Sequence, residues 1–316
     1  MTYPLRLFEP GTVYFVTNRT MQSRFFLRPT PEVNRIIGGV LARACNRFDV
    51  ELFAFVFASN HYHLLLRAGR SAAVSDFVGY LQANMARRIG KLIDWTGRFW
   101  HRRFSASPVL DDEALEDRVR YILAHGVKEG LVESVSEWPG LSCCPELAFG
   151  VIRNFDWVDE AELNEARRYK LGHQAPPARA DFTTRYRLPL QVLPCWQHLD
   201  DKERCRRVRE LIRDVEQGAR HDREGKGVLG REAVLAQNPL DAPEHTKNSP
   251  RPLCHASRRE TYVAFRKVWD TFVAAYREAS ARFRRGVLGV EFPPFACHPP
   301  LRWGWRLTAA AEMGAA

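Results

Sequence analysis

No apolar run in the 316-residue chain approaches the roughly 18 residues of a membrane span, and Met1-Thr2-Tyr3-Pro4-Leu5-Arg6 lacks the apolar core of a secretory leader. The expectation is a protein that stays in the cytoplasm and spans no membrane. Cysteine is sparse and unpatterned: seven residues, an odd number, with Cys143 and Cys144 adjacent and no paired C-x-x-C. That excludes a disulfide framework and a structural zinc spacing, and predicts reduced thiols. Internal repeats, a Walker-type glycine loop, a dinucleotide fingerprint and a Gly-x-Ser-x-Gly elbow are all missing. Nucleotide-driven chemistry therefore has no support in the sequence.

Positive charge is abundant. The formal net charge is +10, which favours a polyanionic partner, nucleic acid first. Lys and Arg outnumber Asp and Glu by 18 to 15 up to Gly150 and by 29 to 22 beyond it. Both halves are basic, so nucleic-acid contact is not confined to one of them. The length suggests two units, 1–150 and 151–316.

Hydrophobic periodicity sets the order of elements. Thr12 to Thr17, after Pro10-Gly11, is β-branched and aromatic and reads as a strand. Pro31 to Arg47 has helical spacing, with Thr30 as cap and Pro31 in the first position. Val50 to Ala58 and His61 to Arg67 read as a pair of strands across Ser59-Asn60, and Ser75 to Ile93 returns to helical period. A further strand is expected between Trp100 and Leu110, then a helix from Glu113 to Val127 started by Asp111-Asp112-Glu113. This β-α-β-β-α-β order suits a ferredoxin-like unit in an α+β fold. Beyond Gly150, the segments Trp157 to Tyr169, Asp200 to Ala219 and Arg259 to Arg285 read as helices. Gln174 to Leu193 and Glu224 to Ser257 are rich in Gly, Pro and polar residues.

The residues that carry chemistry begin with Asn60-His61-Tyr62-His63 at the head of a strand. Period-two alternation puts His61 and His63 on one face, where two imidazoles can chelate a divalent metal. The same spacing is met by two imidazoles stacked on a sheet face. Tyr121 and His125, four apart in a helical segment, share a helix face, although a helical tyrosine most often packs its ring. Arg98 to Phe104 interleaves aromatics with arginines, as a base-stacking, phosphate-neutralising surface does and as an ordinary strand can.

In this order the stretches VYFVTNR (Val13 to Arg19), FAFVFASNHYHLLL (Phe53 to Leu66), GRFWHRRF (Gly97 to Phe104) and RYILAHGVKEGLV (Arg120 to Val132), followed by Trp138-Pro139, resemble the single-tyrosine HUH transposases, most closely the REP-associated tyrosine transposases. The resemblance covers about the first 145 residues. It implies a ferredoxin-like antiparallel sheet with helices on one face, followed by a mostly helical region. His61 and His63 match the metal pair, and Tyr121 matches the nucleophile. The family commonly places a polar third ligand one turn beyond the tyrosine, in an Asn-Pro step. This chain has His125-Gly126 there, and the softer imidazole tilts preference from magnesium toward manganese or other transition metals.

The implied reaction is metal-dependent nicking and strand transfer of hairpin-forming single-stranded DNA through a 5′-phosphotyrosine, at the nucleoid. Arg19, Arg67, Trp100, Arg102, Arg103, Arg120 and Lys128 are the candidate DNA contacts. The missing Asn-Pro step also admits a DNA-binding protein whose site has decayed, and the histidines alone admit a metallohydrolase without a covalent step. Residues 151–316 are expected to contact DNA or form a homodimer, and the Val228-Leu229-Gly230 and Ser249 to His255 stretches resemble pieces of an accessory region in some relatives.

Overall fold

Strands Val13–Arg19 (β1), Val50–Phe57 (β2), His61–Ala68 (β3) and Ser105–Val109 (β4), buried along most of their length, form one antiparallel sheet in the order β2-β3-β1-β4. The computed structural model describes residues 5–169, 175–244 and 251–296, so Ser249 and Pro250 of the Ser249 to His255 stretch lie outside it. Helices Pro31–Arg47 (α1) and Ser71–Leu92 (α2) make the two crossovers. This is the expected ferredoxin-like arrangement, and the Thr30 hydroxyl caps α1 by accepting from the Val33 amide at 3.2 Å.

Both crossover helices pack on the face that carries Val16, Tyr62, Leu64 and Leu66. Tyr62 is fully buried there, its hydroxyl accepting from Gln82 of α2 at 2.5 Å. Ile37 and Leu41 of α1 and Phe77 and Leu81 of α2 are also fully buried. Each such side chain contributes about 1.5 to 3 kcal/mol relative to exposure. The third helix, Asp112–Leu123 (α3), follows the sheet unit and lies over its opposite face. That face presents His61 and His63.

Where the sequence predicts a helix from Trp157, the chain first forms a strand, Asn154–Val158 (β5), which pairs with Thr183–Arg187 (β6) before and after a shorter helix, Glu160–Arg168 (α5). The hairpin sits on α1 because Gly38 and Gly39 leave no Cβ: one at Gly38 would overlap the Phe155 ring, and one at Gly39 the Asp156 carbonyl. The remainder is mostly helical, as expected, with Asp201–Arg223 (α6) and Arg259–Arg284 (α8) close to the predicted segments and two short helices, Cys144–Phe149 (α4) and Arg231–Ala236 (α7), that the sequence pattern did not mark. Trp196, Val208, Leu211 and Val234 join the same hydrophobic core as the sheet.

Both outer edges of the four-stranded sheet are covered. On β2, the Cys143 amide donates to the Phe55 carbonyl at 3.0 Å, Phe57 donates to Leu141 at 2.9 Å, and Gln191 donates to Leu52 at 2.9 Å. On β4, His255 bridges Val109, its amide donating to the Pro108 carbonyl at 2.8 Å and its carbonyl accepting from Leu110 at 2.9 Å. No helix among the described residues is long and apolar enough to cross a membrane. The six described cysteines are free thiols.

Candidate metal and tyrosine site

Three elements meet at one point. Strand β3 turns His61 and His63 toward α3, and the chain just past the end of α3 brings His125 down between them. Ring centroids are 5.0 Å apart for His61 and His63, 4.7 Å for His61 and His125, and 5.2 Å for His63 and His125. One ring nitrogen from each lies within 4.8 Å of the others.

The helix expected to run to Val127 stops at Leu123. Gly126 ends it, with φ of +95°, and a Cβ there would meet the Trp138 ring at 2.8 Å. The Gly126 amide donates to Glu129 at 2.8 Å. His125 is thus held by a tight turn against Trp138 rather than by a continuing helix.

The donor set fits a divalent ion. His63 is buried, and neither of its ring nitrogens has a hydrogen-bond partner; Nδ1 of His125 lacks one too. An unpaired buried polar group costs about 1 to 3 kcal/mol, so such atoms call for a partner. At His61 the Asn60 side-chain oxygen lies 2.6 Å from Nδ1. Accepting from Nδ1–H fixes the tautomer and leaves Nε2 as the ligand atom, the usual outer-shell arrangement. Asn60 is itself held, donating to the Ser23 carbonyl at 3.0 Å.

Burial pushes the pKa of His61 and His63 well down. For His61, His125 and Arg19 add to the effect; for His63, His61, His125, Arg118 and Arg19 do. Burial also lowers His125, against the pull of Glu129. All three imidazoles are therefore neutral near pH 7, the form that can ligate a metal.

Tyr121 stands beside them, its ring 5.1 Å from His63 and 6.3 Å from His125, partly exposed. Burial, and then Glu129, raise its pKa, while Arg118 and Arg19 act in the opposite direction. The four side chains singled out for chemistry in the sequence are together.

The candidate DNA contacts are more scattered. Arg19, opposite His61 in the β1–β3 register, borders the site. Arg102 and Arg103 are exposed on the loop that runs along the end of β1, where the His101 amide donates to the Arg19 carbonyl at 2.9 Å. Lys128 is exposed on the turn after His125. Arg120 is near Asp214 of α6 at 3.8 Å. Arg67 lies at the other end of β3, its guanidinium donating to Glu51 at 3.0 Å. Trp100 packs edge-on against Tyr62 on the crossover-helix side, and its indole N–H donates to the Gln82 carbonyl at 3.0 Å.

Sequence reasoning missed Arg118 and His255, which both rest on the Phe15 ring, the guanidinium 5.6 Å and the imidazole 5.4 Å from its centre. It also missed Arg251, which joins Arg102, Arg98 and Arg19 in the positive field around His101. No spacing could flag residues that the fold collects from separate elements. The signal for Asn60 was present, since it abuts the histidine pair.

Residues 18–125 match the family model described as Transposase IS200 like. Its span holds both histidines of β3, Tyr121 and His125, so this stretch is similar to the IS200-like transposases. A Haemophilus influenzae protein bearing the provisional name REP-associated tyrosine transposase is 26% identical over 144 residues, 42% of this chain and 81% of that one.

Among solved structures, a REP-associated tyrosine transposase bound to a REP hairpin is 20% identical, with a TM-score of 0.41 over 48% of this chain and 87% of that chain. A protein from Deinococcus radiodurans, provisionally named a transposase, is 22% identical, with a TM-score of 0.28 over 39% of this chain and 95% of that one.

Proposed function

We propose that the protein nicks and rejoins single-stranded, hairpin-forming DNA through a covalent 5′-phosphotyrosine at Tyr121, with a divalent ion held by His61, His63 and His125. The observation that carries this reading is the position of Tyr121 against His63, a buried imidazole with two unpartnered nitrogens. Residues 1–150 are the catalytic unit in this reading, and residues 151–316 support it and extend the DNA-binding surface.

A bound ion supplies Lewis-acid polarisation of the phosphate and a template for the reacting strand. The protein supplies the rest. Asn60 orients His61, and Phe15 backs His63, so the ligand set is preorganised. The Tyr121 oxygen forms a bond to phosphorus as the bond from phosphorus to the 3′ oxygen breaks; the phenolic proton is lost and the 3′ oxygen gains one from solvent. Arg118 and Arg19 favour the phenolate against burial. Because the phosphodiester energy is kept in the tyrosyl ester, rejoining needs no nucleotide.

The choice of three imidazoles favours manganese over magnesium. The decayed-site alternative rests on the missing Asn-Pro step, and the closeness of His125 to both other imidazoles speaks for a retained site. Incubation of the protein with single-stranded hairpin DNA and manganese is expected to give a protein–DNA adduct mapping to Tyr121 and absent in Tyr121→Phe. DNA cleavage without an adduct would support a water-activating hydrolase instead, and intact DNA would support the decayed site.

A further inference from the structure

The segment 251–258 crosses the outer edge of β4 and reaches the tyrosine side of the site. The Ser107 hydroxyl donates to the Pro252 carbonyl at 3.0 Å, His255 forms the bridge to Val109, and the Ser257 amide donates to Asp111 at 2.8 Å. This backbone clamp fixes His255 over Phe15, where its Nε2 is buried without a partner.

Arg118 arrives at the same ring from α3. Its guanidinium is 5.2 Å from the Tyr121 ring centre and 5.6 Å from that of Phe15, and its buried Nε has no hydrogen-bond partner. No ion pair holds it among the described residues, unlike Arg120, Arg207 and Arg258, which are paired with Asp214, Glu116 and Glu113. A half-buried guanidinium without an ion pair, beside the neutral imidazoles of His63 and His255, is free to take an anion.

We propose that Arg118 and His255 form a phosphate-binding subsite next to Tyr121, which takes a backbone phosphate of the DNA strand adjoining the one attacked. Arg118 supplies charge and a forked donor, and His255, a neutral ring, supplies one N–H. The C-terminal region thereby contributes directly to the site. The subsite rests on the reading of the protein as a single-stranded DNA enzyme, and its test is built on binding rather than cutting.

In a Tyr121→Phe background, which removes chemistry, affinity for a single-stranded hairpin oligonucleotide is measured across a salt series. Arg118→Met is expected to weaken binding about 10-fold and to lower the salt slope by about one. Arg118→Lys keeps the charge, so the slope is expected to hold while affinity falls. His255→Asn is expected to weaken binding about threefold with the slope intact. Urea unfolding and manganese titration of each variant identify any that fail to fold, and if Arg118→Met is among them, Arg118→Lys and His255→Asn decide. Unchanged affinity in the folded variants overturns the subsite whether or not Tyr121 forms an adduct. Reduced affinity in a protein that never forms one keeps the subsite and rejects the nicking reaction.

Discussion

Phe15 and His63 lie face to face on adjacent strands, ring centres 5.0 Å apart and planes only 16° from parallel. The same phenyl ring touches Tyr121 edge-on at 5.8 Å. One apolar side chain thus sets the positions of both His63 and Tyr121.

Phe15→Ala is expected to cost about 3 to 5 kcal/mol of stability, the usual penalty for a buried aromatic, and to weaken manganese binding by releasing His63. Urea unfolding and calorimetric titration check the two effects separately. Retained manganese affinity in the folded variant would show that His63 is positioned without the ring.

Asn60→Ala is expected to lower manganese affinity about 10- to 100-fold with little loss of stability, because His61 loses the acceptor at Nδ1 that selects its ligand tautomer. Titration with manganese gives the result, and wild-type affinity would mean that Asn60 serves the Ser23 turn alone.

Removing the third imidazole tests the metal preference. His125→Asn is expected to narrow the advantage of manganese over magnesium in binding, since it exchanges a softer nitrogen ligand for an amide oxygen. Parallel titrations with the two ions in both proteins measure the ratio, and an unaltered ratio would place His125 outside the ligand set.

Stability should fall in acid partly through His255. Burial, with Arg118 adding to it, holds this ring down to about 4, below the usual 6.5. The unfolded chain therefore takes up its proton first. The contribution is fully present above about pH 6.5 and is lost toward pH 4, by up to about 1.4 kcal/mol per pH unit. In His255→Gln the decline in urea midpoint across that window should be shallower than in the wild type. Superimposable pH profiles would contradict this assignment.

Much of the sheet unit was legible. Thr30 and Asp111, with their first-turn partners, mark helix starts by local chemistry alone, and both caps form as read. The histidine pair was legible because strand alternation is local as well. The end of α3 was harder to see, since it depends on a glycine whose backbone is forced left-handed beside Trp138, a contact across 12 positions. The β5–β6 hairpin was missed because Trp157 and its charged neighbours satisfy a helical pattern, while the pairing that overrides it comes from Thr183–Arg187. Arg118 carried no mark distinguishing it from the other arginines of the chain. Only the arrival of His255 from a distant loop gives it a setting.

Since backbone groups of the chain itself occupy both rims of the four-stranded layer, at Leu52, Phe55 and Phe57 on one side and at Pro108 and Leu110 on the other, a second copy cannot extend the layer at these positions without displacing them. Self-association through the edges of this layer is thereby disfavoured. A design that sought to join two copies along β4 would first have to peel away the segment that delivers His255.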